Sequence, residues 1–140
     1  SYEDLTGGLL SERLIQASED HFVEGVVGNS TSSICRLLEG HHIPGGGDAL
    51  LNDLLGLTRE LALAVRSQMH AGLGVAVHGV PDPSDSAENL AAGQTFIVVT
   101  DGVSFKTRTY NTAGRGLPDR TRIVLTSLNL LRLALDEGME

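Results

Sequence analysis

The 140-residue sequence predicts an α/β domain, a three-layer α/β/α sandwich around a mixed, mostly parallel central sheet. Segments with apolar residues at helical spacing alternate along the chain with short apolar runs of strand length. The run Leu73-Gly74-Val75-Ala76-Val77-His78 is too continuously apolar for a solvent-facing edge, so helices are expected on both faces of the sheet. Asp101-Gly102, set before the alternating stretch Val103 to Tyr110, is a two-residue hairpin signal and makes at least one strand pair antiparallel.

Each element follows from its own residues. Thr6 is a good N-cap, and Leu9, Leu10, Leu14 and Ala17 recur at near-helical spacing, which predicts a helix over about 9 to 18. Phe22 to Gly28 reads as a short strand. Asn29 to Ser33 then supplies turn and capping residues for a helix through Ile34, Leu37 and Leu38. Gly40 to Gly47 is a loop by composition, and a leucine-rich helix is expected over Ala49 to Leu55. Thr58 is the candidate N-cap of a longer helix with Leu57, Leu61, Val65 and Met69 on one face. After the strand ending at Gly79, the segment Val80 to Ala92 carries Pro81 and Pro83 and reads as a loop before the strand Thr95 to Thr100. Val124, Leu128, Leu131 and Leu135 mark a last amphipathic helix starting near Pro118-Asp119, flanked by Arg120, Arg122 and Arg132.

Composition excludes several classes of function. The net charge of -8, from 18 acidic and 10 basic residues, leaves no electrostatic footprint for nucleic acid or an anionic membrane surface. No apolar run reaches the roughly 18 residues of a membrane span, and no signal peptide is visible, so a cytoplasmic protein is expected. Cys35 is the single cysteine; lying among apolar residues, it is expected to be a buried thiol.

The stretch Glu3-Asp4-Leu5-Thr6-Gly7-Gly8 carries the strongest functional signal. Two glycines at a helix start let a ligand approach the backbone, and free N–H groups with the helix dipole favour an anion such as phosphate. The competing reading is a capped helix start and nothing more, and for this motif alone it is the better one.

Taken in order, the motifs resemble the C-terminal domain of the competence/damage-inducible CinA proteins, the nicotinamide mononucleotide deamidase family. That family reads Glu-Ser-x-Thr-Gly-Gly, then Gly-Val-Val-x-Tyr-Ser-Asn-x-x-Lys-x-x-Leu-Leu-Gly, then a Gly-Ile-Ala-Gly-Pro loop before a Gly-Thr-Val-x-Ile strand. An arginine-bearing last helix follows. The matching segments are Glu3 to Gly8, Gly25 to Gly40, Gly79 to Ile97 and Arg120 to Leu135, with Gly79, Pro83, Gly93 and Ile97 on the family's own residues. The resemblance implies a single CinA C-terminal-like domain over 1–140, abbreviated by the family's first helix and part of its first strand. It further implies a serine amidohydrolase pocket, assisted by a tyrosine and a lysine.

Those three catalytic positions are occupied by Asp4, Asn29 and Ile34. An aspartate attacking an amide would form an anhydride, Ile34 has no proton to move, and an asparagine amide does not titrate in a useful range. Asp82 and Asp85 add carboxylates to the loop, and Pro81 removes a donor, so phosphate should bind more weakly than in the family. Thr6, Gly7, Gly8, Ser30 and Gly79 survive as the candidate ligand-binding set. The expectation is a catalytically silent, structural, regulatory or weak ligand-binding relative. An active amidohydrolase using rearranged or metal-assisted chemistry is the alternative, and it requires a metal or a replacement base near Asp4.

Other constellations are weaker. Asp4, Asp82, Asp85 and His78 would suit a hard divalent cation if they met, but loop acids are usually solvated, and no metal or cofactor is expected. His41 and His42 lack further ligands at zinc spacing. His78 is read as a hydrogen-bonded core-edge residue rather than a base, Ser32 and Ser33 as caps, and Arg120 and Arg122 as flanking the last helix rather than reaching an anion. The expected partners are a nucleotide or other small anionic ligand, and further copies of the chain in a homo-oligomer.

Overall fold

A computed structural model describes residues 1–28, 30–43, 46–50, 52–80, 93–111 and 116–139. The chain runs β1 (Tyr2–Glu3), α1 (Leu9–Ala17), β2 (Val26–Val27), α2 (Thr31–Leu38), α3 (Gly47–Leu50), α4 (Leu54–Gln68), β3 (Gly74–Gly79), β4 (Thr95–Thr100), β5 (Phe105–Tyr110) and α5 (Leu117–Asp136). The strands form one sheet in the order β2-β1-β3-β4-β5. It is mixed, as expected. Two pairings are parallel and two antiparallel, and the antiparallel ladders of β3, β4 and β5 are the long ones, so the parallel share is smaller than the alternation of elements implies.

Strand alternation divides the core into two layers. On β3 and β4, Val75, Val77, Ile97 and Val99 pack with Leu10 of α1 and with Ile123, Val124 and Leu130 of α5. Ala76 and Val98 face the other way, onto Leu61, Ala62 and Val65 of α4 and Leu37 and Leu38 of α2. Both central strands are therefore buried along their whole length, which is why they read as continuous apolar runs. β5 is an edge strand, and Arg59 of α4 lies 5.3 Å from the Phe105 ring centroid, covering its inner face.

Several boundaries differ from expectation, each for a local reason. The strand expected over Phe22 to Gly28 is only Val26–Val27, because its neighbour β1 offers two residues to pair with. α3 is a single turn. α4 starts five residues earlier than Thr58 implies: Asp53 caps it, its carboxylate accepting from Gly56 N at 2.8 Å, while Thr58 is buried inside the helix and donates to the Leu54 carbonyl at 2.7 Å. Cys35 is exposed, since Ile34, Leu37 and Leu38 form the packed side of α2 and position 35 is turned off it. On α5 the buried stripe is Ile123, Val124, Ser127, Leu130 and Ala134, leaving Leu135 72% exposed.

The β4–β5 connection is longer than the Asp101-Gly102 signal implies. Thr100 pairs with Phe105, so four residues turn the chain. Gly102 takes φ 98°, and the Asp101 carboxylate accepts from Val103 N at 2.9 Å and Ser104 N at 2.8 Å. Those amides, Ser104 first, hold the Asp101 carboxyl below its ordinary value of 3.8. A group with a depressed folded-state pKa stabilises the fold above its unfolded pKa and ceases to do so as pH falls through the folded value. Asp101→Ala is therefore expected to lower the melting temperature at pH 7 and to make less difference at pH 2.5, as thermal unfolding followed by circular dichroism would show.

Candidate functional site

The site lies where the chain leaves the C-terminal ends of β1 and β3, the edge at which open α/β sheets characteristically bind ligands. The register Tyr2↔Ala76 and Glu3↔Val77 carries Asp4 alongside His78, although 74 positions separate them in sequence. Alternation along β1 sends Glu3 towards α1, and Tyr2 and Asp4 to the opposite face.

Glu3 explains the start of α1. Its carboxylate is fully buried and accepts from Leu10 N at 3.0 Å, Ser11 N at 2.8 Å, Ser11 Oγ at 2.6 Å and the Thr6 hydroxyl. The N-cap is Gly8, not Thr6, and the helix starts at Leu9. The anion expected at this helix N-terminus is thus supplied by the chain itself. Gly7 at φ 61° and Gly8 at φ 99° make the left-handed turn that brings α1 back over Glu3, so the glycine pair is required by backbone geometry.

Asp4, at the family's serine position, is tied on both oxygens. Oδ1 accepts from Gly79 N at 2.9 Å and from its neighbour Leu5 N, and Oδ2 lies 2.6 Å from His78 Nδ1. Each of the two side chains keeps 11% of its surface exposed. Beside them the Tyr2 hydroxyl is buried, close enough to Asp4 to feel its charge, with no hydrogen bond of normal geometry to a described residue. Burial, and after it the Asp4 charge, pushes the Tyr2 phenol above its ordinary value.

The remaining candidates have internal roles. Gly79 ends β3 against Leu5, whose side chain occupies the space a Cβ would need. Ser30 caps α2, accepting from Ser33 N at 3.3 Å, and its hydroxyl lies within 3.2 Å of those of Ser32 and Ser33. Ile34 packs on the α4 side of the core with Tyr2, the setting in which a lysine would have to be desolvated. His41 pairs with Glu60 of α4 at 2.8 Å, and His42 is exposed. Asn29, Asp82 and Asp85 lie outside the described residues. No group of three or more metal-ligand side chains occurs among the described residues.

Arg120, read from sequence as a flanking residue, is brought to the turn. Its guanidinium sits 3.4 Å from where a Gly7 side chain would begin, and its Nε is buried with no partner among the described residues. Only the packing of α5 against α1 makes that contact, so no local pattern could reveal it. Arg122 lies instead in a cavity of about 540 Å³ beside Arg108 and Tyr110. A second, largely apolar cavity of about 660 Å³ opens at the other end of the sheet between Leu14, Phe22, Met69, Leu73 and Leu131. Neither contains Asp4, His78 or Arg120.

Fold and site together define an α/β/α sandwich whose β1–α1 turn joins a buried glutamate, a double glycine and an arginine from the last helix. That fold is the fold of the CinA competence/damage-inducible proteins, as the sequence resemblance implies. A competence or damage-inducible protein from Enterobacter asburiae superposes with TM-score 0.76 at 26% identity, over 96% of this chain and 85% of that one. CinA-superfamily proteins from Enterobacter cloacae and Klebsiella pneumoniae give TM-scores of 0.73 and 0.78 at 24% and 18% identity. They cover 94% and 97% of this chain, and 79% and 85% of their own. No protein-family model and no curated protein sequence matches the chain. Among the described residues no helix is long and apolar enough to cross a membrane.

Proposed function

We propose that this CinA-like domain binds a small anionic ligand at Arg120 beside the β1–α1 turn, not on the α1 helix-start amides that Glu3 already fills, and does not run the serine-dependent amide hydrolysis that the resemblance implies for its relatives. The observation that carries this reading is Asp4. At the nucleophile position stands a carboxylate whose two oxygens are engaged by Gly79 N, Leu5 N and His78, with Ile34 in place of the proton-transferring lysine. Arg120 supports the anionic character of the ligand, since a buried guanidinium nitrogen without a partner favours an acceptor that completes its hydrogen bonds.

The test uses nicotinamide mononucleotide and inorganic phosphate. Phosphate is expected to perturb the amide spectrum at Gly7 and Gly8, and Arg120→Gln to weaken binding about tenfold, the loss of roughly one charge-assisted hydrogen bond. Ammonia release from nicotinamide mononucleotide that disappears in Asp4→Ala would overturn the reading. A second reading, hydrolysis by rearranged chemistry, is favoured by one contact: His78 is a titratable group 2.6 Å from Asp4.

A further inference from the structure

The contact between Asp4 and His78 has the form of a base and its orienting acid. An ionised carboxylate only accepts, so in the Asp4–His78 contact at 2.6 Å the tautomer with the proton on Nδ1 is the one that lets His78 donate to Asp4. The neutral ring then carries its lone pair on Nε2, and that atom makes no hydrogen bond to a described residue. A contact serving only to staple β1 to β3 needs nothing more than the Gly79 N–Asp4 bond already present at 2.9 Å. Three further features exceed a staple. The pair is almost withdrawn from water, with 11% of each side chain exposed. The buried Tyr2 hydroxyl beside it lacks a partner among the described residues. Phe96, 7% exposed, stands opposite His78 on β4 and adds an apolar neighbour in the ladder.

We infer that His78 is a general base oriented by Asp4, and that the site hydrolyses an activated ester of a small acid, with water as the nucleophile. The inference rests on the reading that a ligand binds at the ends of β1 and β3. Its chemistry balances without a metal, an oxidant or a covalent enzyme intermediate. The water oxygen bonds to the acyl carbon while one water proton passes to His78 Nε2. The tetrahedral intermediate then breaks its bond to the leaving oxygen, which takes the proton from Nε2. A carboxylic acid and an alcohol leave, and His78 is neutral again. Asp4 touches no reacting atom in this scheme. It is a positioning residue that keeps the tautomer productive, a role consistent with its inability to act as the nucleophile.

The experiment follows p-nitrophenyl acetate hydrolysis by the full chain and by His78→Gln, Asp4→Asn and His42→Gln, the last controlling for exposed imidazoles. His78→Gln is expected to lower the rate roughly a hundredfold with the circular dichroism spectrum unchanged, and His42→Gln to leave it unchanged. A rate equal to wild type in folded His78→Gln overturns the inference. The wild-type protein alone supplies a second readout that no folding defect can obscure. Nitrogen chemical shifts of the His78 ring, followed across pH until the ring is neutral, are expected to show a proton on Nδ1 and none on Nε2 in that neutral form, and the reverse tautomer also overturns the inference. In Asp4→Asn the rate falls and the ring spectrum shifts towards the Nε2-protonated form, which a purely structural loss would not produce. Arg120-dependent phosphate binding with His78-independent hydrolysis defeats the inference alone. His78-dependent hydrolysis without phosphate binding defeats the anionic-ligand reading alone.

Discussion

Glu3→Ala is expected to destabilise the domain by about 3–5 kcal/mol, the cost associated with breaking a buried charged hydrogen-bond network from one side. The carboxylate is fully buried and serves four donors: Leu10 N, Ser11 N, Ser11 Oγ and the Thr6 hydroxyl. Its removal leaves the first-turn amides of α1 facing a cavity, with the positive end of the helix dipole uncompensated. Glu3→Gln separates these effects. The amide keeps one acceptor but turns its NH2 towards two donors, so about half the loss is expected to remain. Urea unfolding followed by circular dichroism measures both variants. A loss below about 1 kcal/mol for Glu3→Ala would mean that water or a rearranged Thr6 satisfies the helix start and that Glu3 is not its anchor.

The difference between what the sequence discloses and what it conceals follows from the range of the interactions. β4 is legible to the residue because Thr95 to Thr100 is continuously apolar and buried on both faces. Helix α1 is legible from its leucine spacing, but its cap is not. Thr6 has the right chemistry for an N-cap, yet the fold places a stronger acceptor, Glu3, beneath the helix and reduces the Thr6 hydroxyl to a donor. Thr58 fails as a start signal for a related reason: Asp53 caps first, and a threonine inside a helix satisfies its hydroxyl on the carbonyl four residues back.

The site is less legible than the fold because its members meet only through tertiary register. His78 and Asp4 are joined by the β1–β3 ladder, and Arg120 reaches Gly7 by the packing of α5. The sequence reads His78 as a hydrogen-bonded residue at the core edge, which it is, but nothing local names Asp4 as its partner. The glycines illustrate the opposite error. Gly7, Gly8 and Gly79 read as room for a ligand, whereas the fold uses all three for its own backbone and packing.

Gly79 is where that distinction can be measured. Were it present only to admit a ligand, Gly79→Ala would leave the unliganded protein as stable as wild type. A Cβ at this position would instead stand 2.8 Å from the Leu5 Cβ and 2.7 Å from its Cδ2, distances that real side chains do not adopt. Leu5 is 3% exposed and has no open side to move into, so the turn after β1 must shift as a unit. The expected cost of this overpacking is about 2–3 kcal/mol. The same shift draws Asp4 Oδ1 away from Gly79 N, now 2.9 Å distant, and loosens the hold of Asp4 on His78. Stability and the His78 ring spectrum are therefore expected to change together. Leu5→Ala removes the obstructing atoms while losing its own burial, so the double variant is expected to be about 1–2 kcal/mol more stable than the two single losses added. Strict additivity in that cycle, measured by urea unfolding, would show that the close approach of Leu5 to Gly79 is not what makes glycine necessary here.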